Sequence, residues 1–213
     1  MDDPVDSLVE LEANLRDIER ANRRFGGILP FMRVLETTGA REILDVGCGA
    51  ADIPCSLLES AGRQGRTLAI TCLDRNEQML AIAKERNGSL HFVHGEGDAL
   101  PFADGSFDVA MCSLTLHHIE ADNAVEFLRE LRRVSRITPI VCDLRRSPVA
   151  YAMTWTYANF FTRNRLTRHD APVSVLRAYT PDEALALARE AGWHAPRVQV
   201  EPWFRMTLVD DAR

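Results

Sequence analysis

The sequence predicts an α/β domain: a doubly wound, mostly parallel sheet of seven strands that ends in an antiparallel hairpin. Apolar runs at 42–46, 67–73, 90–94, 107–114 and 139–142 alternate with helical patterns at about 53–62, 76–87 and 121–134. That alternation implies crossover units, with a parallel sheet covered by helices on both faces. Ile43 to Ala51 reads as a buried strand running into a tight glycine turn and then a helix, a junction that lets a ligand approach the backbone closely. Val198 to Phe204 and Met206 to Val209 read as two further strands in a very tight hairpin.

From the start, Val5, Leu8, Leu11, Leu15 and Ile18 fall at helical spacing up to Arg24. Gly26-Gly27 stops that helix, and Ile28 to Thr37 predicts a second, short one. The central region, 40–145, holds the alternating strands and helices. In it, Asp52 is expected to cap the helix after the glycine turn, with Pro54 in the first turn, where a missing N–H costs nothing. Beyond Asp143 the pattern changes. Ser147 to Phe161 is aromatic and weakly periodic, and a basic stretch from Arg163 to Asp170 contains His169. Residues 146–178 are therefore read as an inserted helical lid. Thr180-Pro181-Asp182-Glu183 is a capping box for a helix through Ala191, closed by Gly192. A single domain follows, with 1–38 as a helical cap and 179–213 as a C-terminal helix and hairpin.

The 213 residues are 46% hydrophobic and 26% charged, an ordinary globular balance. No apolar run approaches the roughly 20 residues of a membrane span. Met1-Asp2-Asp3-Pro4 is not the start of a signal peptide. A net charge of -6 argues against a general nucleic-acid or anionic-membrane surface. Cys48, Cys55, Cys72, Cys112 and Cys142 form no Cys-x-x-Cys pair. Free buried thiols in a reducing, cytoplasmic compartment are expected, and no metal site. A monomer or homodimer is expected.

In an open parallel sheet the ligand sits at the C-terminal ends of the strands. Asp45 and the glycine turn end the first strand, and Asp74-Arg75 the second. Gly97-Asp98-Ala99 follows the third, Ser113 to His118 the fourth, and Asp143 the fifth. A dinucleotide fingerprint needs a glycine three positions after Gly49, and that place holds Asp52. Asp45 instead places a carboxylate where a cationic group can be held. Asp74 suits ribose hydroxyls, and Asp98 an adenine edge.

These residues resemble the class I S-adenosylmethionine-dependent methyltransferases, in the group of small bacterial enzymes similar to ubiquinone and menaquinone C-methyltransferases. The matching stretches are Leu44 to Gly49, Leu73-Asp74, Gly97 to Asp108, Leu116 to Ile119 and Leu128 to Val134. Likeness covers roughly residues 40–145, with Ala51 in place of the family's third glycine. The chain ends are similar to methyltransferases of polyketide-type pathways. The resemblance implies a Rossmann-like sheet and S-adenosyl-L-methionine as cofactor. It implies Asp45, Gly47 and Gly49 around the amino-acid part, Asp74 at the ribose, Asp98 and Ala99 at the adenine, and Ser113 under the methionine portion, with Cys48 and Arg75 also among the cofactor-binding residues.

Methyl transfer needs an aligned nucleophile, exclusion of water and, for a phenol or enol, a base. The candidate bases are His169, beside Asp170, and His118 and His117 at the mouth of the sheet. Arg145, Arg146, Arg163, Arg165 and Arg168 are either an anion-recognition set or a solvated basic face. The aromatic stretch 151–161 is either a substrate wall or core under the lid. Ser113-Leu114-Thr115-Leu116 lacks the Asn/Asp-Pro-Pro-Tyr pattern of amide and exocyclic-amine methylation. The expected acceptor is a hydroxyl of an aromatic or polyketide-like small molecule in secondary metabolism, with an activated ring carbon as the alternative. An NAD-dependent oxidoreductase and a non-catalytic partner of the same fold are the readings from other classes.

Overall fold

The computed structural model describes residues 8–160, 162 and 165–211, with side chains from residue 15 and not at 165 and 166. The expected helix start at Val5, and Phe161 and Arg163, lie outside the described residues. Helix α1 (Leu8–Arg24) and α2 (Leu29–Thr38) lead into β1 (Glu42–Val46) and α3 (Asp52–Arg63). The order continues β2 (Ala69–Asp74), α4 (Glu77–Arg86), β3 (His91–His94) and β4 (Phe107–Ser113). A short 3-10 turn (Leu116–His118) precedes α5 (Ala121–Val134) and β5 (Ser135–Leu144). The segment read as a lid holds α6 (Pro148–Phe160) and α7 (Arg165–Arg177), and α8 (Pro181–Glu190), β6 (Pro196–Glu201) and β7 (Arg205–Asp210) follow.

The seven strands form one sheet in the order β3-β2-β1-β4-β5-β7-β6. The first five are parallel, while β7 runs antiparallel to both β5 and β6. This is the Rossmann-like sheet expected. Strand β6 ends at Glu201, before Phe204, because Pro202, Trp203 and Phe204 make the turn.

Alternation along the strands divides the core in two. Ile43, Cys72, Met111, Ile140 and Cys142 face Phe31 and Leu35 of α2 and Leu57 of α3. Leu44, Ala110, Val141 and Leu208 face Leu128 and Leu131 of α5 and Trp193. Five strands point their C-terminal ends one way, and antiparallel β7 brings its first residue to the same rim. The side chains of Asp45, Asp74, Ser113, Asp143 and Arg205 are thereby gathered at one edge.

Candidate cofactor and acceptor site

A cavity of about 1510 Å³ opens over that edge, beneath α1, α6 and α7. Asp45, Gly47, Cys48, Gly49, Asp74, Arg75, Asp98, Ser113, His117 and His118 all line it. Ala99 is exposed and outside the lining.

The glycine turn is bound mainly to itself and to β2. The N–H groups of Gly47 and Cys48 both donate to the Leu73 carbonyl, at 2.8 and 3.1 Å. Gly49 donates to Asp74 Oδ2 at 2.7 Å. Gly47 has φ +74°, and a Cβ there would meet the Thr115 side chain at 2.5 Å. Gly49, at φ +52°, faces open space. Ala51 takes the helix N-cap place in the left-handed region, at φ 59°. Asp52 is accordingly the first residue of α3 rather than its cap. Its carboxylate accepts from Asn22 Nδ2 of α1 at 2.7 Å, which pins α1 across the turn.

Three carboxylates, Asp45, Asp52 and Asp74, crowd this end of the cavity. Burial, and then the charges of Asp52 and Asp74, push Asp45 well above the usual carboxylate range. Burial also raises Asp52, against the hydrogen bond from Asn22. Asp45 Oδ1 and the Ser113 hydroxyl are buried without hydrogen-bond partners. Such a cluster calls for a cation. A pyrophosphate would add repulsion, so the dinucleotide alternative fits poorly. The methionine end of S-adenosylmethionine fits such a cluster, since its ammonium and sulfonium would supply positive charge.

The Asp98 loop is buttressed from α5. Glu130 Oε2 accepts from the Leu100 N–H at 2.7 Å, and Arg133 donates to the carbonyls of Leu100 and Phe102 and to Asp104. A Cβ at Gly97 would meet the Phe127 ring at 2.6 Å, so that helix and loop are fitted face to face. The Gly97–Asp108 and Leu128–Val134 motifs are thus two halves of one support.

Across the cavity, Asp143 holds His117 by two contacts. Oδ1 lies 2.6 Å from His117 Nδ1, and Oδ2 accepts the His117 backbone N–H at 3.0 Å. Burial alone would raise Asp143, but the His117 ring and the hydrogen bonds from His117 and Leu144 hold it below the usual carboxylate range. His117 is 5% exposed, and the ring of exposed His118 lies against it at 4.1 Å. Twenty-six positions separate Asp143 from His117, and the sequence carries no local signal of their pairing.

The lid candidates separate. His169 is 79% exposed, bonds Asp170 at 3.1 Å and lies outside the cavity lining, although Asp170 is in it. It faces solvent because its turn of α7 presents Asp170, Ala171 and Ser174 inward. Arg145, Arg146 and Arg168 also lie outside the lining. Arg146 pairs with Glu183, and Arg168 donates to the Asn159 carbonyl. Of the aromatic stretch, Met153 and Tyr157 of α6 line the cavity, and Trp155 and Phe160 do not; all four are exposed. Phe25 and Trp203 pair at 4.9 Å and complete the wall. All five cysteines are free thiols.

Residues 44–138 match the family described as methyltransferase domain. The chain is 30% identical over 137 residues to a demethylmenaquinone methyltransferase of Staphylococcus haemolyticus, covering 61% of this chain and 54% of the relative. It is 33% identical over 119 residues to the Staphylococcus epidermidis protein of the same name, covering 54% and 47%. The chain thus spans about half the length of these curated relatives. In fold it is similar to a SAM-dependent methyltransferase of Aquifex aeolicus, at TM-score 0.61 and 20% identity over 84% of this chain and 87% of that one. It is also similar to magnesium protoporphyrin IX methyltransferase of Synechocystis with bound SAH, at TM-score 0.64 and 13% identity over 97% and 88%. Among the described residues no helix is long and apolar enough to cross a membrane.

Proposed function

This chain carries a class I S-adenosylmethionine-dependent methyltransferase domain similar to that of menaquinone methyltransferases; on that premise we propose that it methylates a hydroxyl of an aromatic or polyketide-like small molecule, with His117 as the base. The observation that carries the reading is His117, held by buried Asp143 and lining the same cavity as the carboxylate cluster.

S-adenosylmethionine supplies, when bound, a methyl group already activated on a sulfonium. Asp45 and Ser113 offer unpartnered oxygens to its charged end, Asp74 the ribose contact and Asp98 the adenine contact. The protein's remaining tasks are alignment, exclusion of water and proton removal. With Nδ1 engaged by Asp143, Nε2 is the nitrogen left to take the acceptor's proton. The imidazolium so formed is stabilised by the Asp143 carboxylate. Met153, Tyr157, Phe25 and Trp203 give the acceptor an apolar wall.

The likeness to demethylmenaquinone methyltransferases supports a second reading, methylation of an activated ring carbon. The same base serves both, because an ionised phenol is nucleophilic at oxygen and at its ortho carbon. Incubation with labelled S-adenosylmethionine and a panel of hydroxyaromatics, with the product's methyl position read by NMR, tests the proposal. Methyl on oxygen supports the first reading and methyl on carbon the second. S-adenosylhomocysteine binding without turnover of any hydroxyaromatic would sink both.

A further inference from the structure

Arg20, Arg24, Arg75 and Arg205 all line the cavity, and the first three are exposed. Arg205 is different: the first residue of β7 is only 6% exposed. Its Nη2 donates to Asn22 Oδ1 at 2.6 Å, a neutral partner, and Nη1 has no hydrogen-bond partner at all. Glu201 stands directly opposite on β6, bonded to Arg33 and Thr207, and makes no ion pair with Arg205. Cys142, beneath the guanidinium, is pushed up to about 11 by burial despite the positive charge beside it, so it stays a neutral thiol. A buried guanidinium that makes no direct ion pair and leaves Nη1 unbonded is costly, and has donor capacity to spare for an anion.

On β5 the cross-strand partner of Arg205 is Leu144, the residue after Asp143, and Leu144 lines the same cavity. One amide stands between the carboxylate cluster and this cation: Asn22 accepts from Arg205 at Oδ1 and donates to Asp52 from Nδ2.

Building on the methyltransferase reading, we propose that Arg205 is the anion-binding residue of the acceptor site, selecting small aromatic acceptors that carry a carboxylate or an ionised hydroxyl. A guanidinium presents planar paired donors that suit such oxygens. It also gives the site discrimination that its apolar wall lacks, since a neutral isostere leaves the buried cation unpaired.

The test is calorimetry on the protein saturated with S-adenosylhomocysteine, using benzoate against its neutral isostere benzamide. Wild type should prefer benzoate by roughly tenfold or more. Arg205→Gln should abolish the preference with S-adenosylhomocysteine affinity unchanged, and Arg205→Lys should keep part of it. 4-Nitrophenol, whose visible absorbance reports its ionisation, separates the two sources of negative charge. An ionised fraction that rises on binding to wild type but not to Arg205→Gln assigns the site to ionised hydroxyls as well as carboxylates. Equal affinity of wild type for benzoate and benzamide, with 4-nitrophenol left un-ionised, overturns the proposal even if no variant folds. Failure of S-adenosylhomocysteine to bind would instead overturn the methyltransferase reading on which it rests.

Discussion

Asp74 Oδ2 accepts the Gly49 N–H at 2.7 Å while Oδ1 accepts the Asn76 N–H at 2.9 Å. The carboxylate expected to meet a ribose therefore also fastens the glycine turn to the start of α4. A carboxylate has lone pairs enough for both tasks, so its removal acts twice.

Asp74→Ala should weaken S-adenosylhomocysteine binding by about tenfold to a hundredfold and lower the melting temperature of the unliganded protein as well. Asp74→Asn keeps an acceptor for one N–H and should be milder on both counts. Calorimetry and thermal melting read the two effects separately. Unchanged affinity in Asp74→Ala would refute the ribose placement.

Asp143→Asn should reduce turnover by roughly 10²–10⁴-fold, because the His117 ring loses the partner that fixes its tautomer and stabilises its charged form. Cofactor affinity should be unchanged. His169→Ala, on an exposed turn of α7, should leave turnover within about twofold. Single-turnover kinetics with quantified cofactor binding decides; a large loss in His169→Ala would return the base to the lid.

The pH dependence of stability should carry the mark of Asp45. Burial first, then Asp52 and Asp74, hold its folded pKa above the usual value. A carboxyl raised on folding contributes stability that is fully present below its unfolded pKa and is lost as pH rises through the folded value. Asp45→Asn removes this term, so the variant should gain on wild type in melting temperature as pH rises from about 4. It should also bind S-adenosylmethionine more weakly at neutral pH. A difference between variant and wild type that is flat with pH would remove the carboxylate cluster from the argument.

Gly47→Ala should destabilise through two separable effects. The left-handed backbone costs about 1–2 kcal/mol, and the added methyl meets Thr115 at 2.5 Å. Adding Thr115→Ala should restore the steric part and leave the backbone part. Denaturant titration of the two single variants and the double variant checks this.

The sequence makes the sheet legible because each strand is a short apolar run between turn residues, and because Asp45, Asp74, Asp98 and Ser113 occupy strand ends, where parallel topology gathers them. What it hides are partnerships across long separations. Asp52 is a good N-cap by type, but Ala51 adopts the required turn and Asn22 of α1 claims the carboxylate. His169 beside Asp170 imitates an oriented base, yet α7 lacks the one-sided apolar stripe that would say which flank faces inward. Arg205 is a single charge in a hairpin, and only the β5–β7 register sets it beside Leu144.

The Asn22–Arg205 bond spans 183 positions of the chain. A contact so distant in sequence must repay the entropy of closing a large loop. Strands β1 to β5 and their crossovers contain every residue of the carboxylate cluster and of the Asp143–His117 pair, and the anionic-acceptor end needs β7 between β5 and β6. The carboxylate end of the cavity is thus built within the first five strands and their crossovers, whereas the Arg205 end exists only where the two ends of the chain are joined.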